Sequence, residues 1–466
     1  MQSHSAPSGK KVPASSWRIV IILSSVATMV LYAETMLVPA IPELINDFNI
    51  SYSTSSWILT TYLITGAVMT PITGKLSDIY GKKKILVIVM LFYTTGVSIA
   101  GFSTNIDFML LARGFQGVGL SMFPIAFSIV RAQFPREKIA IGQGIITSMY
   151  GGGAVIGLSV GGAIIQHYGW HATFFTIIPI AITLLFFIWR YIPADKEEAE
   201  RTRTLQQQER QIQFHQQDQK FVTSHKNIDM KGAITLAVAV TSFLLVLTYL
   251  EVGTGSSSDK NSTIESSSTM VAASFTVLGI ISLALFILVE KRSASPLIDF
   301  RLMLNKRILL ANIIIVIVGY SMFTVFQTIP ILVQNPQPDG FGGDPIRAAK
   351  VQLPFALIIL VFGTASGFII TRLGSMKTII IGTVVGAIGF SALEIFHSTE
   401  FIVSLNLGII AIGISLSSVG AQNVIILSIP RQNSGMSLGM TTFLRILGSS
   451  IAPAVAGMLL QQSVYS

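Results

Sequence analysis

Residues 74–84 read Gly-Lys-Leu-Ser-Asp-Ile-Tyr-Gly-Lys-Lys-Lys, and residues 367–377 read Gly-Phe-Ile-Ile-Thr-Arg-Leu-Gly-Ser-Met-Lys. The glycine pairs Gly74/Gly81 and Gly367/Gly374 are both offset by 293 positions. Each stretch joins one long apolar run to the next, so each is a short polar turn between two helices. Small residues recur at helical spacing close by, with Gly153, Gly157, Gly161 and Gly162 in one run and Gly363 and Gly367 in another. Such spacing lets helix backbones approach closely in lipid. Two copies of one helical bundle, facing each other, are the expected architecture.

Outward from these turns, the composition agrees. Of 466 residues, 51% are hydrophobic and 11% charged, with a mean hydropathy of +0.68. Soluble domains carry roughly a quarter charged residues, so an ordinary soluble enzyme is excluded. A span needs about twenty mostly apolar residues. Thirteen stretches qualify: 17–39, 54–74, 85–103, 108–130, 140–166, 171–192, 231–250, 270–290, 308–333, 351–371, 377–396, 401–429 and 434–461. With the N-terminus inside, 26 of the 31 lysines and arginines fall in interior segments and 3 in exterior ones. That asymmetry predicts a cytoplasmic N-terminus. The expected class is an all-α, multi-pass protein of the cell membrane.

The chain divides into a polar tail (1–16), a first bundle of six spans (17–192) and a Gln-, Glu- and Arg-rich cytoplasmic linker (193–230). Two extra spans (231–290) and a second bundle (291–466) follow. An odd span count puts Ser466 outside.

The stretch at 74–84 resembles the signature of the major facilitator superfamily, with Ile79 where that family usually has arginine. Arg113-Gly-Phe-Gln116-Gly117-Val-Gly119 is similar to its fourth-span signature, and the resemblance implies a part for Arg113 in proton handling. The run from Gly153 to Gly162 resembles the antiporter signature, with Leu158 in place of the usual proline. The extra spans, Pro296-Leu-Ile-Asp-Phe-Arg301 and Arg445-Ile-Leu-Gly448 look like the fourteen-span drug:proton antiporter branch. That branch has one further span. The resemblance therefore implies a second bundle that is incomplete relative to it, or one completed by self-association. It also implies that Gly74, Asp78, Gly81, Lys82 and Lys83 form a latch that breaks when the halves rock.

Charged residues inside spans are costly and generally face a cavity or a partner. Glu34 lies in span 1 with more than a turn of apolar sequence on either side. A carboxyl there exchanges protons near neutral pH; the opposing reading is a permanent ion pair with Arg113. In the branch named above the acid aligns with Ala33, and one helical step turns a side chain by about 100°. Arg445 lies deep in the last span, as a substrate ligand or as a packing donor. Two arginines against one acid also admit an anionic or zwitterionic substrate. Tyr62, Gln116, Gln327 and Asn423 are further candidate substrate contacts, or hydrogen-bonding glue between helices.

Other chemistries lack their residues. With no cysteine there are no disulfides and no thiolate metal sites. No phosphate-binding loop with its Lys-Ser/Thr is present, and His167 and His171 flank a short turn without completing a metal set. The linker's basic residues are interleaved with acids, which argues against nucleic acid. No cofactor or metal is expected, and catalysis is not. The partners are a small molecule, protons and the lipid bilayer. The expected function is proton-coupled export of amphipathic, drug-like compounds by alternating access. The alternatives are a carrier of an organic anion or metabolite, and a non-transporting sensor or scaffold.

Overall fold

The structure is a computed structural model that describes residues 12–37, 40–50, 52–194, 229–255, 262–293, 296–298, 300–335, 340–430 and 433–465. Most of the linker at 193–230 and of the tail at 1–16 lies outside the described residues. Described secondary structure is helical throughout, as expected of chains whose backbone polar groups must be satisfied in lipid.

The first half holds α1 (Ala14–Thr35), a short α2 (Ile41–Phe48), α3 (Tyr52–Tyr80) and α4 (Lys82–Gly101). Next come α5 (Ile106–Gly117) and α6 (Met122–Gln133), which are joined through a 3-10 turn into one long rod. After α7 (Ile139–Ile156) a π-helical turn, Gly157–Gly161, leads into α8 (Gly162–Tyr191). The extra pair is α9 (Met230–Gly255) and α10 (Ser262–Arg292). A single turn, α11 (Phe300–Met303), then leads to α12 (Lys306–Gln334), α13 (Pro345–Leu373), α14 (Ser375–Ile395), α15 (Glu400–Ser428) and α16 (Ser434–Tyr465).

Local chemistry sets many of these boundaries. Asn105, Asp344 and Thr399 cap α5, α13 and α15 by accepting from the backbone N–H groups of Phe108, Arg347 and Ile402. Gly81 and Gly374 stand at matching places in the two copied turns, with φ of 102° and 80°. Only glycine adopts that backbone without strain, so the duplicated turn is real in geometry.

Ten helical stretches among the described residues are long and apolar enough to cross a membrane, by length and composition. One of them, 136–191, contains both expected spans 140–166 and 171–192, broken only where Gly169 turns to φ 77°. A belt of exposed large apolar side chains, among them Phe92, Phe186, Trp189 and Phe401, covers the outside of the bundle. That surface is stable against lipid and not against water.

The halves meet along two seams, α3 against α16 and α7 against α13. The end of the bundle that carries the basic turns is here called the basic end. The extra pair lies beside the first seam, with α9 along both α3 and α16.

Candidate functional site

Three buried or half-buried charges gather where the halves meet. Glu34 is in the last turn of α1 and half-buried. The charges of Arg113 on α5 and Arg445 on α16 both act on its carboxyl. Among the described residues it makes no hydrogen bond and no ion pair within 4.0 Å. A permanent Glu34–Arg113 ion pair is thus not what the fold contains.

Arg113 is occupied otherwise. It is fully buried, and its Nε donates to the Ile58 carbonyl at 3.1 Å and Nη1 to Gln116 Oε1 at 2.8 Å. Gln116 in turn donates to the Gly96 carbonyl at 3.2 Å. The guanidinium lies 4.4 Å from the centre of the Tyr62 ring. One arginine therefore bolts α3, α4 and α5 together. Its Nη2 has no hydrogen-bond partner, and neither has the Tyr62 hydroxyl. Gln116, expected as a substrate contact, is committed to this internal tie.

Arg445 reaches across the boundary. It belongs to the second half, yet its guanidinium lies 4.0 Å from the Tyr150 ring centre and 5.5 Å from that of Phe123, both in the first half. Those two rings stack at 4.9 Å. Arg445 is half-buried, so its charge is held on an aromatic face while part of it stays accessible. Gln327 on α12 is half-buried, has no side-chain hydrogen bond among the described residues and remains a candidate contact. Asn423 lies at the basic end: its amide donates to the Ser375 hydroxyl at 2.8 Å, tying α15 to α14, while its Oδ1 is buried without a hydrogen-bond partner.

The small residues of 153–162 divide by partner. Cβ atoms at Gly153, Gly157 and Gly161 run into Leu31, Thr35 and Met36 of α1, so these glycines seat α7 on α1. Gly162 faces open space and has no packing role. Gly363 and Gly367 pack instead against Ser148 and Ala140, across the second seam. The two glycine series are therefore not copies of each other. The π-turn at 157–161 departs from α geometry where the resembled signature carries proline.

The basic-end turn forms a closed contact. Asp78 accepts from the Gly435 N–H at 2.9 Å and the Met436 N–H at 2.8 Å. Gly74 lies against the Gly435 backbone so closely that any Cβ would collide. Lys82 and Lys75 add positive charge beside Asp78. Lys83 makes no hydrogen bond or ion pair among the described residues, so it stands apart from the latch. Asp78 lies past the apolar stretch 54–74, and burial raises its pKa from 3.8 to about 6 against the pull of the two N–H groups and two lysines.

Arg131 was counted in the sequence only as a sidedness marker. It donates to the Pro430 carbonyl at 3.1 Å and to the Ile429 carbonyl, and Ser128 meets Ser434 at 2.6 Å. Tyr150 and Phe123 were missed as well. No local motif distinguishes these two rings from the other aromatics of the chain.

Comparison with known proteins agrees with this fold. The Major Facilitator Superfamily model matches residues 23–453. The multidrug transporter protein MdtP of Bacillus subtilis (strain 168) is 24% identical over 91% of this chain and 71% of its own length. The multidrug efflux pump LfrA of Mycolicibacterium smegmatis is 24% identical over 97% and 82%. The tetracenomycin C resistance and export protein of Streptomyces glaucescens is 24% identical over 99% and 80%. The crystal structure of the human organic anion transporter MFSD10 superposes with a TM-score of 0.66 at 13% identity, covering 96% of this chain and 94% of that one. The proton:xylose symporter XylE gives 0.62 at 12%, covering 97% and 90%.

Proposed function

We propose that this chain, which belongs to the Major Facilitator Superfamily, exports amphipathic, drug-like compounds in exchange for protons. The family and the relatives make it a multi-pass membrane transporter. Coupling to protons, and the basic end as the cytoplasmic end, are this proposal's own additions.

The observation that carries it is Glu34: an acid inside a span, half-buried, with no ion pair, and with one arginine from each half acting on it. Protonation changes the charge between the halves, and so does a bound cationic or zwitterionic compound. Each shifts the balance of open and closed states only by its differential affinity for them. Arg113 sets the field at Glu34 from within the first half, and Arg445 brings the second half's charge to the same place. The Tyr150 ring, backed by the buried Phe123, and Gln327 supply aromatic and amide surface for a substrate, and the Asp78 turn closes the basic end.

Fluorescent-dye transport in inverted vesicles, wild type beside Glu34→Gln, tests this. Proton-driven transport is expected in the wild type and absent from the variant. Equal proton-driven transport in both overturns the proposal.

A second reading has its own support. Two arginines to one acid give the cluster a net positive charge when Glu34 is ionised, which suits an organic anion. Stabilisation of the purified protein by anionic rather than cationic compounds selects that reading.

A further inference from the structure

Glu290, in the last turn of α10, is 3% exposed and takes no part in the charge cluster described above. Its Oε1 accepts from the Leu297 N–H at 3.1 Å and its Oε2 from the Ile298 N–H at 3.2 Å. The carboxylate therefore reaches past the end of its own helix and holds the chain that follows. Leu297 and Ile298 are buried there, and one turn earlier Phe286 meets Phe300 edge-on with centroids 6.3 Å apart. Gly232 of α9 makes room for the carboxyl, because a Cβ at that position would stand 2.6 Å from Oε1.

This anchored turn offers the Pro296 carbonyl to the first half, and Lys75 Nζ donates to it at 3.1 Å. Lys75 directly follows Gly74, the residue pressed on Gly435 in the first seam. Pro296 leads through α11 into α12 of the second half. The Lys75–Pro296 bond therefore crosses between halves beside the Asp78 contact, to which Lys75 also lends its charge. A cation with a carbonyl partner there forms a strong tie while water is excluded, and a weak one once the seam opens.

We propose that Glu290 is a positioning residue of the transport cycle: it sets the 296–298 turn so that Pro296 receives Lys75 while the α3–α16 seam is shut. The extra helix pair thereby acts as a second latch on the basic end. This rests on the alternating-access reading above.

The chain has no cysteine, so Tyr80→Cys and Met376→Cys, both exposed on basic-end turns of opposite halves, carry spin labels at chosen sites. Their separation in proteoliposomes reports the basic-end gap. Lys75→Met and Glu290→Ala are each expected to raise the ratio of long to short distances roughly tenfold. The double variant is expected to match the larger single effect, because both act on one bond. Lys75→Met leaves the turn intact, so the test survives if Glu290→Ala fails to fold. An unchanged ratio in Lys75→Met, or additive effects in the double variant, overturns the proposal. A wild type with one distance at every pH and substrate level overturns alternating access itself, which is a separate result.

Discussion

The two seams between the halves share a backbone plan and differ in chemistry. In the first, Gly74 of α3 lies on Gly435 of α16, and Gly439 lies on the Thr70 carbonyl. In the second, Gly367 of α13 lies on Ala140 of α7, and a Cβ at Gly144 would stand 2.6 Å from the Gly363 carbonyl. Four residues beyond Gly74 is Asp78, locked onto two backbone N–H groups across the seam. Four residues beyond Gly367 is Thr371, whose hydroxyl turns back to its own Phe368 carbonyl at 2.6 Å. A cavity of about 350 Å³ opens there instead, lined by Glu137, Lys138, Ile141, Phe368, Thr371 and Arg372. Close packing was duplicated with the repeat, and the charged lock was not. One seam therefore holds by a carboxylate on two backbone N–H groups, and the other by backbone fit and the Thr364–Ser148 bond at 3.1 Å.

This comparison can be broken by substitution. Asp78→Ala strips two buried N–H groups of their acceptor, which costs the closed basic end about 2 kcal/mol, a population shift of roughly thirtyfold. Transport in inverted vesicles should fall at least tenfold, against less than twofold for Thr371→Ala. Equal losses at both positions would refute the asymmetry.

Gly74→Val and Gly367→Val probe what the seams share. Each forces side-chain atoms into opposing backbone and should cost about 1–3 kcal/mol, visible as a lower melting temperature of the purified protein. The two drops should be alike, since neither depends on charge. A large difference would mean that only one seam is closely packed in solution.

Thr371→Asp places a carboxylate at the matching position beside Lys138 and Arg372, with Glu137 opposing it. In an Asp78→Asn background it should recover transport by a few-fold. No recovery would show that the second seam cannot be locked electrostatically.

The smallest effect is one of pH. The closed seam raises the Asp78 pKa from 3.8 to about 6, so closure favours the protonated acid. The stabilising contribution is complete below about pH 4 and is lost as pH rises through 6. The separation of spin labels at Tyr80→Cys and Met376→Cys, short at pH 4, should lengthen toward pH 7 and then level off. Asp78→Asn should flatten that profile, and an unchanged profile would assign the titration to another group.

Much of this was legible in the chain. Apolar run lengths identified most of the membrane helices, although the expected runs 54–74 and 434–461 are not among the ten apolar stretches found in the described residues; paired glycines revealed the repeat, because left-handed turns and backbone contacts admit almost no other residue. Asp78 was legible through its place in a copied turn. Arg113 and Glu34 were noticed because charge in a span is rare; whether they pair was left open, and in the fold Ile58 and Gln116 claim the guanidinium. Asn423 and Gln116 were ordinary polar residues whose partners, Ser375 and Gly96, lie 48 and 20 positions away. Nothing local marks such pairings.

The sequence by itself determined that this protein lives in lipid, that it is a twofold repeat of helices, and which few charges must be sheltered. Those properties follow from transfer free energy and backbone sterics, which act residue by residue. Only the tertiary structure decided which sheltered groups are spent on packing and which stay unpartnered, that Arg445 rests on Tyr150, and that Glu290 holds the strap beside Lys75. Such outcomes depend on distances between helices far apart in the chain, where a single rotation of one helix replaces one partner with another.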